Sequence, residues 1–174
     1  YDDIPYKNYT YWTEGGNKRA VETKAVYEPL TAVSLSEFGD SGKMQLEYVC
    51  RDSKGNINVL DSGNGAIYVF DSEYNYVCTV NSVDANGEKL SFTGAKGICY
   101  DDNDTLYISD TQNQRVICRL ADNSVKILTK PESDIIPDGF SFAPLLAVRD
   151  NNGFLYILCE GSYYGLMVLS SEDE

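Results

Sequence analysis

Displaced against itself by 49 residues, this chain matches itself twice. Asp52, Asp101 and Asp150 come into register, as do Ile57, Leu106 and Leu155, and then Val59, Ile108 and Ile157. A period of that length, carried by short apolar runs between turn residues, confines the chain to a repeat architecture, either a propeller or a solenoid. One such unit cannot bury its own faces, so it must stack on a neighbour.

The sharpest copy is residues 97–120, GICYDDNDTLYISDTQNQRVICRL. Alternating apolar and β-branched residues predict strands at 98–100, 106–109 and 116–120, with turns at 101–104 and 111–114. A fourth strand is expected at 125–128. The preceding copy predicts strands at 46–50, 57–60, 66–70 and 76–80, and the following one at 145–148, 154–158 and 166–169. Four strands joined by tight turns make an antiparallel meander. The fold class is therefore all-β, with three to three and a half four-stranded blades: a divergent partial blade over residues 1–44, blades with connectors over 45–95 and 96–144, and an incomplete blade over 145–174. In the first segment, strands are expected at 9–12, 25–27 and 32–35.

Composition bears on partners. Lys and Arg total 14 against 27 Asp and Glu, a formal charge of -13. Such a surface repels phosphate backbones, whose binding depends on basic side chains, and nucleic acid is not an expected partner. No run approaches the 18 or more apolar residues of a membrane-spanning helix. Five cysteines, widely spaced and without a CxxC, argue against both a disulfide framework and a zinc site. Histidine is absent, and with it the commonest general base.

Gly97-Ile98, Asp101 and the run Leu106-Tyr107-Ile108-Ser109-Asp110-Thr111-Gln112-Asn113-Gln114-Arg115-Val116 resemble the NHL repeat, with Gln114 where that family carries His. Asp61-Ser62-Gly63-Asn64 and Asp150, Gly153 and Leu155-Tyr156-Ile157 match more loosely. The Tyr-rich start resembles the opening of exported NHL-repeat proteins of Gram-positive gut bacteria. The resemblance implies a six-bladed β-propeller, which at this period needs roughly 290 residues. It also implies an extracytoplasmic or cell-surface setting with an export signal removed ahead of Tyr1. The repeat pattern stops in mid-blade, so further residues or another chain are expected to complete the ring.

A meander alternates its turns between two faces. The second turns therefore share one face, bringing together Ser62, Asn64, Thr111, Gln112, Asn113, Gln114, Tyr163 and Tyr164. Amides beside aromatic rings suit a carbohydrate or protein ligand, and Asn64, Gln112, Asn113, Gln114, Tyr163 and Tyr164 are the candidate binding residues. Asp110 and Arg115 flank one turn and are expected to clamp it. Asp101, Asn103 and Asp104 have oxygen ligands at calcium-like spacing, but the loop lacks the Gly and distal Glu of an EF-hand, so no cofactor is expected. The expected function is a non-catalytic binding or scaffold module. The rival reading is a lactonase- or lyase-type propeller enzyme with a metal in the central channel, for which Glu47 and Arg149 are the only charged residues on the expected inner strands.

Overall fold

The computed structural model describes residues 7–24, 27, 29–161 and 166–170. The chain divides into two units, Tyr1–Ser34 and Leu35–Glu174.

The first unit contains an antiparallel hairpin of β1 (Tyr9–Glu14) and β2 (Asn17–Glu22), closed by Gly15 and Gly16, both at positive φ. Trp12 lies opposite Arg19, and the rings of Tyr9 and Tyr11 meet edge-on at 5.6 Å. The predicted strand at 9–12 forms and extends to Glu14. Its partner β2 was not anticipated, because Asn-Lys-Arg lacks strand propensity and pairs only through the turn. The strand predicted at 32–35 does not form, and of the one predicted at 25–27, residues 25 and 26 lie outside the described residues.

The second unit is a succession of sheets. β3 (Leu46–Arg51), β4 (Ile57–Asp61), β5 (Ala66–Phe70) and β6 (Tyr76–Val80) pair in chain order. A short hairpin of β7 (Val83–Ala85) and β8 (Glu88–Leu90) follows. Next come β9 (Gly97–Tyr100), β10 (Leu106–Asp110), β11 (Arg115–Arg119) and β12 (Val125–Leu128), again in order. Finally β13 (Pro144–Arg149), β14 (Leu155–Cys159) and β15 (Leu166–Leu169) make a three-stranded sheet. Every pairing is antiparallel. The segment expected to be a polar connector after β6 thus contains a hairpin, turned by Asn86-Gly87 with both residues at positive φ. That dipeptide is a strong signal for a tight two-residue turn.

The first strand of each sheet packs beside the first strand of the next: β3 on β9, and β9 on β13. Sheets so arranged are blades of a β-propeller, and the chain forms part of one. The register puts alternate residues on opposite blade faces, which sorts the core into layers. Leu60, Ile67 and Val69 of the first blade meet Ile98, Leu106, Ile108 and Ile117 of the second, sealed by Phe92 of the connector. On its other face the second blade sets Tyr107, Val116 and Cys118 against Ala147, Leu155 and Ile157 of the third. Residues 35–44 form a strap on the first blade, where Leu35, Phe38 and Met44 pack on Ala66, Tyr68 and Phe70. Phe38 stacks on Tyr76 at 4.3 Å with the rings 7° from parallel.

Candidate functional site

The second turns of the first two blades are built on buried aspartates. Asp61 is fully buried, and its Oδ1 accepts from the backbone N–H groups of Gln45 (2.9 Å), Gly63 (3.1 Å) and Asn64 (3.2 Å). Its Oδ2 accepts from Asn64 Nδ2 (2.7 Å) and the Tyr68 hydroxyl (3.0 Å). Asn64 also donates to the Asp40 carbonyl, tying the turn to the strap. Of the predicted binding residues, Asn64 is therefore already engaged.

One blade on, Asp110 is equally buried. Asn113 Nδ2 reaches both of its oxygens at 2.9 and 3.0 Å, and Arg115 Nε meets Oδ2 at 2.8 Å. Arg115 also donates to the Ser91 carbonyl of the connector. Thr111 Oγ1 donates to the Pro144 carbonyl at 2.6 Å, joining this turn to the next blade. Asp110 and Arg115 thus bracket the turn as one charge-assisted pair, with Asn113 a third member. Gln112 and Gln114 are different. Both are exposed, Gln112 lies against Gly94, and Gln114 closes the turn in the left-handed conformation. Tyr163 and Tyr164 lie outside the described residues.

On the opposite face the first turns repeat one device. Asp101 Oδ1 accepts from the N–H groups of Asn103 and Thr105, and its Oδ2 from the Tyr107 hydroxyl at 3.1 Å. Asp150 does the same with Asn152, Phe154 and the Tyr156 hydroxyl. Asp104 accepts from the Ser53 N–H of the preceding blade. Among the described residues, no group of three or more His, Cys, Asp or Glu side chains is placed to hold a metal ion. At the corresponding position in the first blade, Asn58 replaces Tyr107 and Tyr156. Asp52 accepts instead from the backbone and side chain of Asn56, both at 2.8 Å. Asn58 accepts from Tyr100 of the second blade at 3.3 Å.

A cleft of about 310 Å³ opens beside this substitution, between the first turn of the first blade and the third turn of the second. Sequence reasoning missed it, although the loss of a tyrosine at position 58 of an otherwise regular repeat is a readable signal. At the inner strands, Glu47 is held by Lys96 of the next blade and by the Ser62 hydroxyl.

These contacts make stability depend on pH at both ends. Burial raises the Asp61 carboxyl, but the donors from Asn64, Gln45 and Tyr68 outweigh it and hold the group below its ordinary value. Asp150 shows the same balance. A carboxyl lowered on folding contributes stability in full above about pH 4, and loses it as pH falls through the depressed folded value. Tyr68, Tyr100 and Tyr107 are pushed up to about 12, chiefly by burial. A raised phenol contributes fully below about pH 10, and that contribution is lost as pH rises towards 12. Thermal midpoints are expected to form a plateau between roughly pH 5 and 9 and to fall on both sides. On the alkaline side, the fall should accompany late phenolate absorbance. A chain whose tyrosines all titrate near 10 with no loss of stability would contradict the burial assigned here.

No known family's sequence profile matches the chain, and no curated protein does. Among solved structures it is similar to a protein of unknown function from Bacteroides caccae, at 16% identity and a TM-score of 0.51, over 74% of this chain and 47% of that one. A selenomethionine-substituted virginiamycin B lyase from Staphylococcus aureus matches at 10% identity and a TM-score of 0.49, over 76% and 43%. A Lactobacillus plantarum protein matches at 13% and 0.48, over 90% and 46%. The chain spans somewhat under half the length of each of these proteins. At such identities the likeness concerns the fold alone, and the first of the three supports the propeller.

Proposed function

We propose that the chain is part of an NHL-type β-propeller that serves as a non-catalytic binding module, offering its second-turn face to a carbohydrate or protein ligand in an extracytoplasmic setting. The observation that carries this reading is the contrast within one turn. Thr111, Asn113, Arg115 and Asp110 are bonded into the fold, whereas Gln112 and Gln114 are exposed on that fixed turn, Gln112 lying along Gly94 of the connector. Amides held on a rigid turn meet hydroxyls or peptide groups with little further ordering cost.

The rival, a metal-dependent propeller enzyme, would draw on inner-strand carboxylates. Glu47 is the carboxylate expected there, and Lys96 with Ser62 holds its pKa below the ordinary value through hydrogen bonds that outweigh its partial burial. A carboxylate already neutralised by an ammonium group is a poor cation ligand.

The test is binding of the chain to arrays of neutral glycans and peptides, repeated with Gln112→Ala/Gln114→Ala. The expected result is a selective signal that falls at least about tenfold in the double variant while its melting temperature is unchanged. A signal indifferent to both amides would exclude this face as the ligand surface.

A further inference from the structure

The cleft between the first and second blades lies on the face opposite Gln112 and Gln114. It is lined by Asp52, Lys54, Tyr100, Asp104, Arg119 and Asn123, among others. Where its counterpart at the next blade boundary carries Tyr107 and Arg149, this one carries Asn58 and Tyr100, one register position for another. Asn58 is fully buried and too short to fill the space that a phenol ring occupies one blade later. Tyr100 leans its hydroxyl onto it and forms part of the wall.

The charges of the lining are not equally committed. Both Asp52 oxygens accept from Asn56, and Asp104 Oδ1 accepts from Ser53. Hydrogen bonding from Ser53 and the field of Lys54 hold the Asp104 carboxyl below its ordinary value against a small desolvation cost. Arg119 stands in the row Tyr100, Leu106, Arg119, Val125, which faces the first blade. Among the described residues its guanidinium makes no hydrogen bond and no ion pair, and its charge acts on the neighbouring Tyr100 hydroxyl. A half-buried guanidinium with its donors unspent is a receptor for a planar acceptor, and a carboxylate matches its fork. Asp52 and Asp104 retain lone pairs, and the exposed Asn123 supplies an amide. Those groups receive and donate to hydroxyls. The volume lies at the small end of ligand sites, and the lining is polar where most such sites are apolar.

We infer that this cleft binds a small, hydroxyl-rich carboxylate, an acidic monosaccharide, with Arg119 receiving the carboxylate and Asp52, Asp104 and Asn123 the hydroxyls. The inference is independent of the amide face, since the two surfaces lie at opposite ends of the strands.

Glucuronate is the probe, with glucose and acetate as controls that lack the carboxylate and the hydroxyls respectively. Binding to the full chain is followed by calorimetry and by the side-chain NMR signals of Arg119 and Asn123. Glucuronate is expected to bind saturably and at least about tenfold more tightly than either control. Arg119→Lys, which keeps the charge but loses the fork, and Asn123→Ala are each expected to weaken it several-fold with melting temperatures unchanged, and Arg119→Ala to abolish it. Glucuronate binding no tighter than glucose and acetate, or surviving undiminished in Arg119→Lys and Asn123→Ala, overturns the assignment. Loss of glucuronate binding in Gln112→Ala/Gln114→Ala with Arg119 intact would place the ligand on the other face and overturn it equally.

Discussion

Replacing Asp61 with Ala is expected to destabilise the chain by about 3–4 kcal/mol, read from the shift of its urea midpoint. Five donors converge on this one buried carboxylate, and the substitution leaves all five without their acceptor. The loop amides can recover partners from water, at modest cost. The Tyr68 hydroxyl is fully buried and cannot. It sits where a Cβ on Gly39 would stand, 2.1 Å from that position, so the strap has no room to shift and admit a water molecule. Gly63 is pressed still more closely on the Lys43 carbonyl. Strap and turn are therefore one interlocked piece, and loosening it also bares the face of Ala66, Tyr68 and Phe70 beneath Phe38. Asp61→Asn keeps one carbonyl oxygen for the loop amides but sets an NH₂ group against a donor, and should cost about half as much. The amide proton of Gln45 should exchange faster in both variants. If Asp61→Ala unfolds within about 1 kcal/mol of the parent chain, the carboxylate is not the link between strap and blade.

The parts of this fold that the sequence shows are those governed by short-range chemistry. Apolar alternation and turn residues repeated at one period were enough to place the strands 66–70, 76–80, 125–128 and 166–169 at their observed limits, and most others to within a residue. Asp110 and Arg115 were expected to pair because two opposite charges flank one tight turn, and they do. The strap was not legible. Leu35, Phe38 and Met44 have neither strand nor helix spacing, and their order comes from the face they cover and from the turn of the first blade that ties the strap down. A strand was expected at 32–35 because β-branched and apolar residues cluster there, but those residues adopt no regular structure. Side-chain amides were the least legible of all. Asn64, Asn113 and Gln112 are alike as exposed turn residues in sequence, yet a buried carboxylate claims the first two and leaves the third. The cleft arises from the same kind of tertiary fact: Asn58 matters only because Tyr107 and Tyr156 show what the position holds elsewhere.

Gly97→Ala is expected to cost about 3 kcal/mol, the upper end for overpacking, by prising the second and third blades apart. A Cβ at residue 97 would stand 2.2 Å from the Leu145 carbonyl oxygen and 3.1 Å from Leu146 Cδ1. The first obstacle is backbone, so no rotamer change relieves it. The strand bearing it is fixed at this end, where the Pro144 carbonyl accepts from Thr111 and the Ala143 carbonyl accepts from the Glu160 N–H. Relief requires β13 to move as a body away from β9, which opens the layer of Tyr107, Val116, Ala147 and Ile157. The position is specific to this blade boundary. One period earlier the chain carries Tyr48 and one period later Leu146, so the glycine serves a close approach of two inner strands rather than the backbone geometry of the repeat. Gly87→Ala is the matching control. It has no atom within 4 Å of the added methyl, but a positive φ, and should cost only about 1 kcal/mol. Equal losses from the two substitutions would mean that β9 and β13 do not meet as closely as described. A large loss at Gly97 with increased dye binding to exposed apolar surface would show that the inner strands, set side by side, govern how the blades close on one another.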